Sequence, residues 1–121
     1  MATQSINVTD LDGENGFRLV GAQGYGSSDI LVSSAGDFNG DGLDDVILSG
    51  NNLGASYVVF GKTDGFDATL NLSDLNGSNG FRLDFRANSL SNAGDVNGDG
   101  FADLIIGVPY TTTLALRCRL G

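Results

Sequence analysis

Residues 37 to 45 read Asp-Phe-Asn-Gly-Asp-Gly-Leu-Asp-Asp, a stretch whose oxygen-bearing side chains stand at alternate positions. Asp37, Asn39 and Asp41 come first, Asp45 follows after a gap, and Gly42 falls where the backbone must turn sharply. Hard cations such as calcium take about six to eight oxygens at roughly 2.3–2.6 Å, and a short loop supplies them when every second side chain points inward. The main-chain carbonyl of Leu43 can add another oxygen, because a backbone ligand asks nothing of its side chain. The pattern then recurs: Asp95, Asn97, Asp99 and Asp103 repeat it 95 − 37 = 58 positions later, with Phe101 in the place of Leu43. One such loop reads as a solvated acidic turn; two in register read as a pair of metal loops, expected to hold two Ca2+ ions.

Comparing the copies separates ligands from bystanders. Loop position eight is Asp44 in the first copy and Ala102 in the second, so it is not expected to bind directly. Positions two and seven (Phe38 and Val96, Leu43 and Phe101) are apolar in both and are expected to anchor the loops to a core. An EF-hand needs a bidentate Glu at position twelve. This chain has Leu48 and Ile106 there, so the loops must close early, with Asp45 and Asp103 as the candidate bidentate carboxylates.

Composition narrows the classes of function. The formal net charge is −9, and seven of the fifteen acidic residues lie in the two loops. That charge argues against nucleic acid and anionic membrane as partners, both of which need basic patches. The absence of histidine removes imidazole acid–base catalysis, Ser-His-Asp and Cys-His nucleophiles and imidazole metal sites. A single cysteine, Cys118, makes neither an internal disulfide nor a zinc site. No apolar run approaches a membrane span, and the N-terminal residues lack a secretory signal pattern. Nineteen glycines against one proline fit many tight turns between short strands.

A second repeat brackets the first. Residues 6–19 match residues 70–83, through Asn-Gly-Phe-Arg-Leu in both, at a spacing of 81 − 17 = 64. Strands are expected at 17–20, 30–34, 46–48, 56–60 and 81–85, with a short extended piece at 70–72. Val46-Ile-Leu48 is expected to be buried on both faces. A period near sixty with several short strands suggests a blade or solenoid array, each blade an antiparallel four-stranded meander.

The pattern Gly-Asp-x-Asn-Gly-Asp-Gly-x-x-Asp, an apolar strand and then Gly54-Ala-Ser-Tyr-Val-Val-Phe-Gly61 resembles the FG-GAP repeat, which builds the integrin alpha-chain β-propeller and occurs in many bacterial surface and secreted proteins. Gly107-Val-Pro109 resembles its Gly-Ala-Pro element; Ser49-Gly-Asn51 stands there in the first unit, and Tyr25-Gly26 matches the Phe-Gly element only loosely. The resemblance covers roughly residues 5 to 109 and implies an all-β fold of about one and a half blades. In its terms, 1–29 hold the outer strand of a preceding blade and a linker, 30–88 a complete blade, and 89–121 the start of another. It implies metal ligands at Asp37, Asn39, Asp41, Leu43 (carbonyl) and Asp45, and at Asp95, Asn97, Asp99, Phe101 (carbonyl) and Asp103. After Pro109 the counterpart of Gly54–Gly61 is missing by residue pattern, which fits a truncated or frame-shifted end, or else an ordinary divergent strand.

The expected function is that of a non-catalytic, calcium-binding structural or adhesive repeat of a surface or secreted protein. Its expected partners are other blades or a protein ligand. The alternatives are an accessory repeat of a secreted hydrolase and a dockerin-like docking module; dockerin loops lead into helices, whereas both loops here lead into β-rich runs. So short a chain is also expected to leave apolar surface open among Phe17, Leu19, Phe81, Leu83, Phe85 and the Val46–Leu48 run, and to self-associate or fold only marginally.

Overall fold

The computed structural model describes residues 5, 7–21, 30–50, 55–84 and 87–107, and the backbone of 114–117. Phe85, Tyr25-Gly26, Asn51, Pro109 and Cys118 lie outside the described residues. Among the described residues the regular structure is strand apart from two three-residue 3-10 turns, Val8–Asp10 and Leu72–Asp74, which are 64 positions apart like the repeat that contains them. The fold is all-β.

Four strands form the central sheet: β2 (Ile30–Gly36), β3 (Asp45–Gly50), β4 (Ser56–Val59) and β6 (Gly80–Leu83), in the order β2-β3-β4-β6 and antiparallel throughout. This is the meander expected from the sequence. Between β4 and β6, β5 (Thr69–Asn71) leaves the sheet and pairs in parallel with β1 (Arg18–Val20). This parallel pair is absent from the sequence reading, because periodicity reports which face of a strand is apolar and not which strand it joins.

A second sheet follows, β7 (Ser89–Gly94), β8 (Asp103–Gly107) and β9 (Leu114–Arg117), in the order β7-β8-β9. It repeats the first in register. Val46 pairs with Val59 and Ile47 with Val58; 58 positions on, Leu104 pairs with Arg117 and Ile105 with Leu116. The off-pattern tail therefore supplies the third strand after all, because antiparallel pairing is made by the backbone and tolerates residues that do not match the motif.

The central sheet is covered on both faces. Ile47, Val58, Phe38 and Phe81 pack against Leu104, Ile106 and Leu90 of the second sheet. Leu48, Tyr57 and Val59, on the opposite face, pack with Leu72 and, from β1 and its surroundings, Leu19, Leu70 and Phe66. The Val46–Leu48 run thus serves two cores, as its unbroken apolar character implies. Ser49 ties its own sheet to the segment that leads into the second: its hydroxyl oxygen accepts the Ser56 hydroxyl at 3.0 Å and the Ala87 N–H at 3.0 Å, all buried.

Candidate metal-binding loops

Each acidic loop hangs between the first two strands of its sheet. β2 delivers the chain to Asp37, and Asp45 opens β3 opposite Gly36, with a bulge between Ser34 and Gly36. β7 and β8 repeat this, with Asp103 opposite Gly94 and the bulge between Asn92 and Gly94. The bulge turns the chain out of the ladder where the loop must begin.

The hydrogen bonds inside the loops are duplicates. Asp37 accepts from the N–H groups of Gly40 (2.8 Å), Asp41 (3.0 Å) and Gly42 (2.8 Å). Asp95 accepts from Gly98 (2.9 Å), Asp99 (3.1 Å) and Gly100 (2.8 Å). Asp41 receives the Leu43 N–H at 2.9 Å, and Asp99 the Phe101 N–H at 3.0 Å. Gly42 and Gly100 both have φ +87°, where an L side chain is strained, and this is what sets the glycine in the motif. Asn39 and Asn97 occupy equivalent positions in the two loops.

Position nine differs from the other predicted side-chain ligands because it is buried. Asp45 and Asp103 are almost wholly removed from solvent. Asp45 braces the loop with both oxygens, Oδ2 accepting the Phe38 N–H (2.8 Å) and Oδ1 the Gly61 N–H (2.8 Å). Burial raises its pKa above the ordinary carboxylate value, against the two N–H groups that lower it. Asp103 Oδ2 accepts the Val96 N–H at 2.7 Å, but its Oδ1 is buried with no hydrogen-bond partner among the described residues. The counterpart of Gly61 would be position 119, outside the described residues. At the other end of the loop, Asp95 is held below the ordinary value, first by the Gly100 N–H.

The structure thus places every predicted side-chain ligand in one of two equivalent loops and puts Leu43 and Phe101 at the loop position whose carbonyls the sequence singled out. Among the described residues no three acidic side chains are gathered closely enough to hold a metal ion. Each loop carries carboxylate, amide and main-chain oxygens, and carboxylate oxygens that accept one N–H keep further acceptor capacity.

Two features escaped the sequence. Gly61 donates to Asp45, and a Cβ at Gly61 would fall 2.4 Å from the Asp44 carbonyl oxygen, so the chain just beyond β4 must be glycine to reach the loop. The Phe-Gly pair at 60–61 was the available signal. The second feature joins the loops: Ala102 N–H donates to the Asp37 carbonyl at 3.0 Å, and the Phe101 ring lies where a Cβ on Gly40 would be. Ala102 is also packed beside Gly36, while Asp44, its counterpart, is exposed. This contact gives a physical reason for a small residue at position eight of the second loop.

Stacked antiparallel sheets of one pattern, each with the same acidic loop between its first two strands, define a repeat protein of blade type. Comparison with known proteins gives the particular family. Residues 87–114 match the FG-GAP repeat. The chain is 39% identical over 94 residues to integrin alpha-PS5 of Drosophila melanogaster, covering 72% of this chain and 9% of that protein. It is 32% identical over 110 residues to integrin alpha-4 of Xenopus laevis (85% and 11%) and 37% identical over 98 residues to integrin alpha-2 of Mus musculus (74% and 8%). The chain therefore spans about a tenth of the length of the curated relatives it matches. No solved structure matches. The chain carries an FG-GAP repeat of the integrin-alpha type.

Proposed function

We propose that this chain is a non-catalytic, calcium-binding segment of a propeller, serving as a structural or adhesive scaffold of an extracellular or cell-surface protein. The observation that carries the reading is Asp103 Oδ1, a carboxylate oxygen buried without a partner among the described residues at the ninth position of an acidic loop. A buried unpaired charge is costly, and a cation is what such a site accepts. Asp37, Asn39, Asp41, Asp45 and the Leu43 carbonyl would hold one Ca2+, and Asp95, Asn97, Asp99, Asp103 and the Phe101 carbonyl the other. Bound calcium would supply charge neutralisation and cross-linking of the loop. The chain's own part is to hold the loops in shape through the Asp37 and Asp95 hydrogen bonds and to anchor them by the buried ninth residue.

The reading extends to organisation: 1–29 contribute the outer strand of a preceding blade, 30–88 one blade and 89–121 part of the next. The similarity to integrin alpha chains supports a scaffold role, with other blades or a protein ligand as the partner. The decisive experiment is thermal unfolding by circular dichroism with calcium, magnesium or chelator. A ligand that binds only the folded state at a hundred times its dissociation constant adds about 2.7 kcal/mol per site. Calcium should raise the midpoint clearly, and magnesium much less, since it keeps its waters and demands octahedral geometry. An unfolding curve indifferent to chelator would sink the proposal.

A further inference from the structure

The two acidic loops meet each other. The Ala102 N–H of the second loop donates to the main-chain carbonyl of Asp37 at 3.0 Å. Asp37 opens the first loop, and its carboxylate gathers the Gly40, Asp41 and Gly42 N–H groups that shape it. The donor is one end of a peptide group whose other end is the Phe101 carbonyl, the main-chain oxygen in the second loop's candidate ligand set. That group is planar, so a rotation that re-aims the carbonyl re-aims the N–H as well. The Phe101 N–H, on the preceding peptide, is held by the Asp99 carboxylate at 3.0 Å. The second loop's own candidate ligands thus set the donor on which the Asp37 main chain rests.

Two further contacts join the same parts. The Phe101 ring lies against Gly40, with three ring carbons within 3.1 Å of the place a Cβ would take. Gly40 donates its N–H to the Asp37 carboxylate, so the ring sits on the turn that Asp37 organises. At the loop entrances the Asn92 side chain stands between the copies. Its Oδ1 accepts the Gly94 N–H at 2.8 Å, one residue before Asp95, and its Nδ2 lies 2.9 Å from where a Cβ on Gly36 would be, one residue before Asp37.

The shape of one loop is therefore tied to the shape of the other. Seating the Phe101 ring and fixing the Phe101–Ala102 peptide costs conformational freedom. Filling either loop meets that cost, and filling the other then meets less of it, which is positive coupling. Direct repulsion between two bound cations acts in the opposite direction. The sign of the coupling thus separates the shared contact from charge.

We propose that Phe101 and Ala102 are positioning residues for the first metal loop as well as members of the second, and that the two sites fill as a positively coupled pair. The inference rests on the calcium reading above and adds a linkage between the sites to it. A coupling at the low end of the usual range, about fivefold, gives a Hill coefficient of about 1.4 for two sites of equal intrinsic strength.

The test is calorimetric calcium titration of the full chain, wild type against Phe101→Ala, which deletes the ring and keeps the main-chain carbonyl. The wild type should bind two ions with a Hill coefficient of about 1.4 or more. Phe101→Ala should still bind two ions, with the coefficient falling towards one. Phe101→Leu, with the first loop's own residue at this position, replaces Phe101→Ala if that variant does not fold. Far-ultraviolet circular dichroism with and without calcium should be the same for the wild type; a spectrum that changes means that calcium folds the chain as a whole, and overturns the proposal. A wild-type coefficient of one or below, or a coefficient unchanged by the substitution, overturns the proposal and leaves the calcium reading standing. A chain that binds no calcium overturns both.

Discussion

The contact between the two loops can be weighed with a built-in control. Gly40 and Gly98 occupy the same loop position, with φ +80° and +74°. Alanine at either pays for left-handed backbone, about 1–2 kcal/mol. Only at Gly40 does the new Cβ also meet the Phe101 ring, with the nearest ring carbon 2.3 Å away; at Gly98 nothing lies within 4 Å. Relieving that overlap requires the ring to move and adds about 1–3 kcal/mol, as overpacking does elsewhere. Gly40→Ala should therefore melt roughly 4–12 °C below Gly98→Ala, taking about 4 °C per kcal/mol for a chain of this size. Thermal unfolding in calcium is the assay, repeated in chelator so that any loss of ion binding is read separately. A third variant isolates the contact. In a Phe101→Ala background the extra cost at Gly40 should vanish, leaving the two glycine positions equivalent, since residues in contact are non-additive. Equal melting of Gly40→Ala and Gly98→Ala would refute the reasoning and leave the loops independent.

Other outcomes follow from the same structure. Asp41→Ala and Asp99→Ala should each abolish one of two calcium sites in calorimetric titration. Asp44→Ala should retain both with a modest loss of affinity, because Asp44 is exposed and Ala102 already stands at its place in the second loop; loss of a site there would overturn the ligand assignment. Ser49→Ala strands the buried Ala87 N–H, which it now accepts at 3.0 Å. An unsatisfied buried donor costs about 1–3 kcal/mol, so chemical denaturation should show a fall of that size, and no fall would mean that water replaces the hydroxyl.

The loops were legible from residue type and spacing alone. Asp37 to Asp45 and Asp95 to Asp103 organise themselves through hydrogen bonds spanning seven residues or fewer, so residue type and spacing carry their geometry, down to the glycines at positive φ. The meander of the first blade was legible for a related reason: alternation in 81–83 and the unbroken apolar run at 46–48 report the faces that must be covered. What covers them is a different matter. Phe38 and Val96 look alike in sequence, yet one is core and the other surface, because only the first has a sheet against it. The open apolar surface was expected among Phe17, Leu19, Phe81, Leu83, Phe85 and the Val46–Leu48 run; Phe85 lies outside the described residues, Ile47 and Leu48 are buried and the others half-buried, and the large apolar residues that stand exposed among the described ones are Val8, Ile30, Val32, Val96 and Ile105. The parallel pairing of β1 with β5, the hydroxyl bridge from Ser49 to Ala87 and the donation of Gly61 to Asp45 join residues distant in sequence, and no local pattern encodes them. Local hydrogen bonding is written residue by residue, whereas burial belongs to pairs of surfaces and is decided only when the second surface arrives.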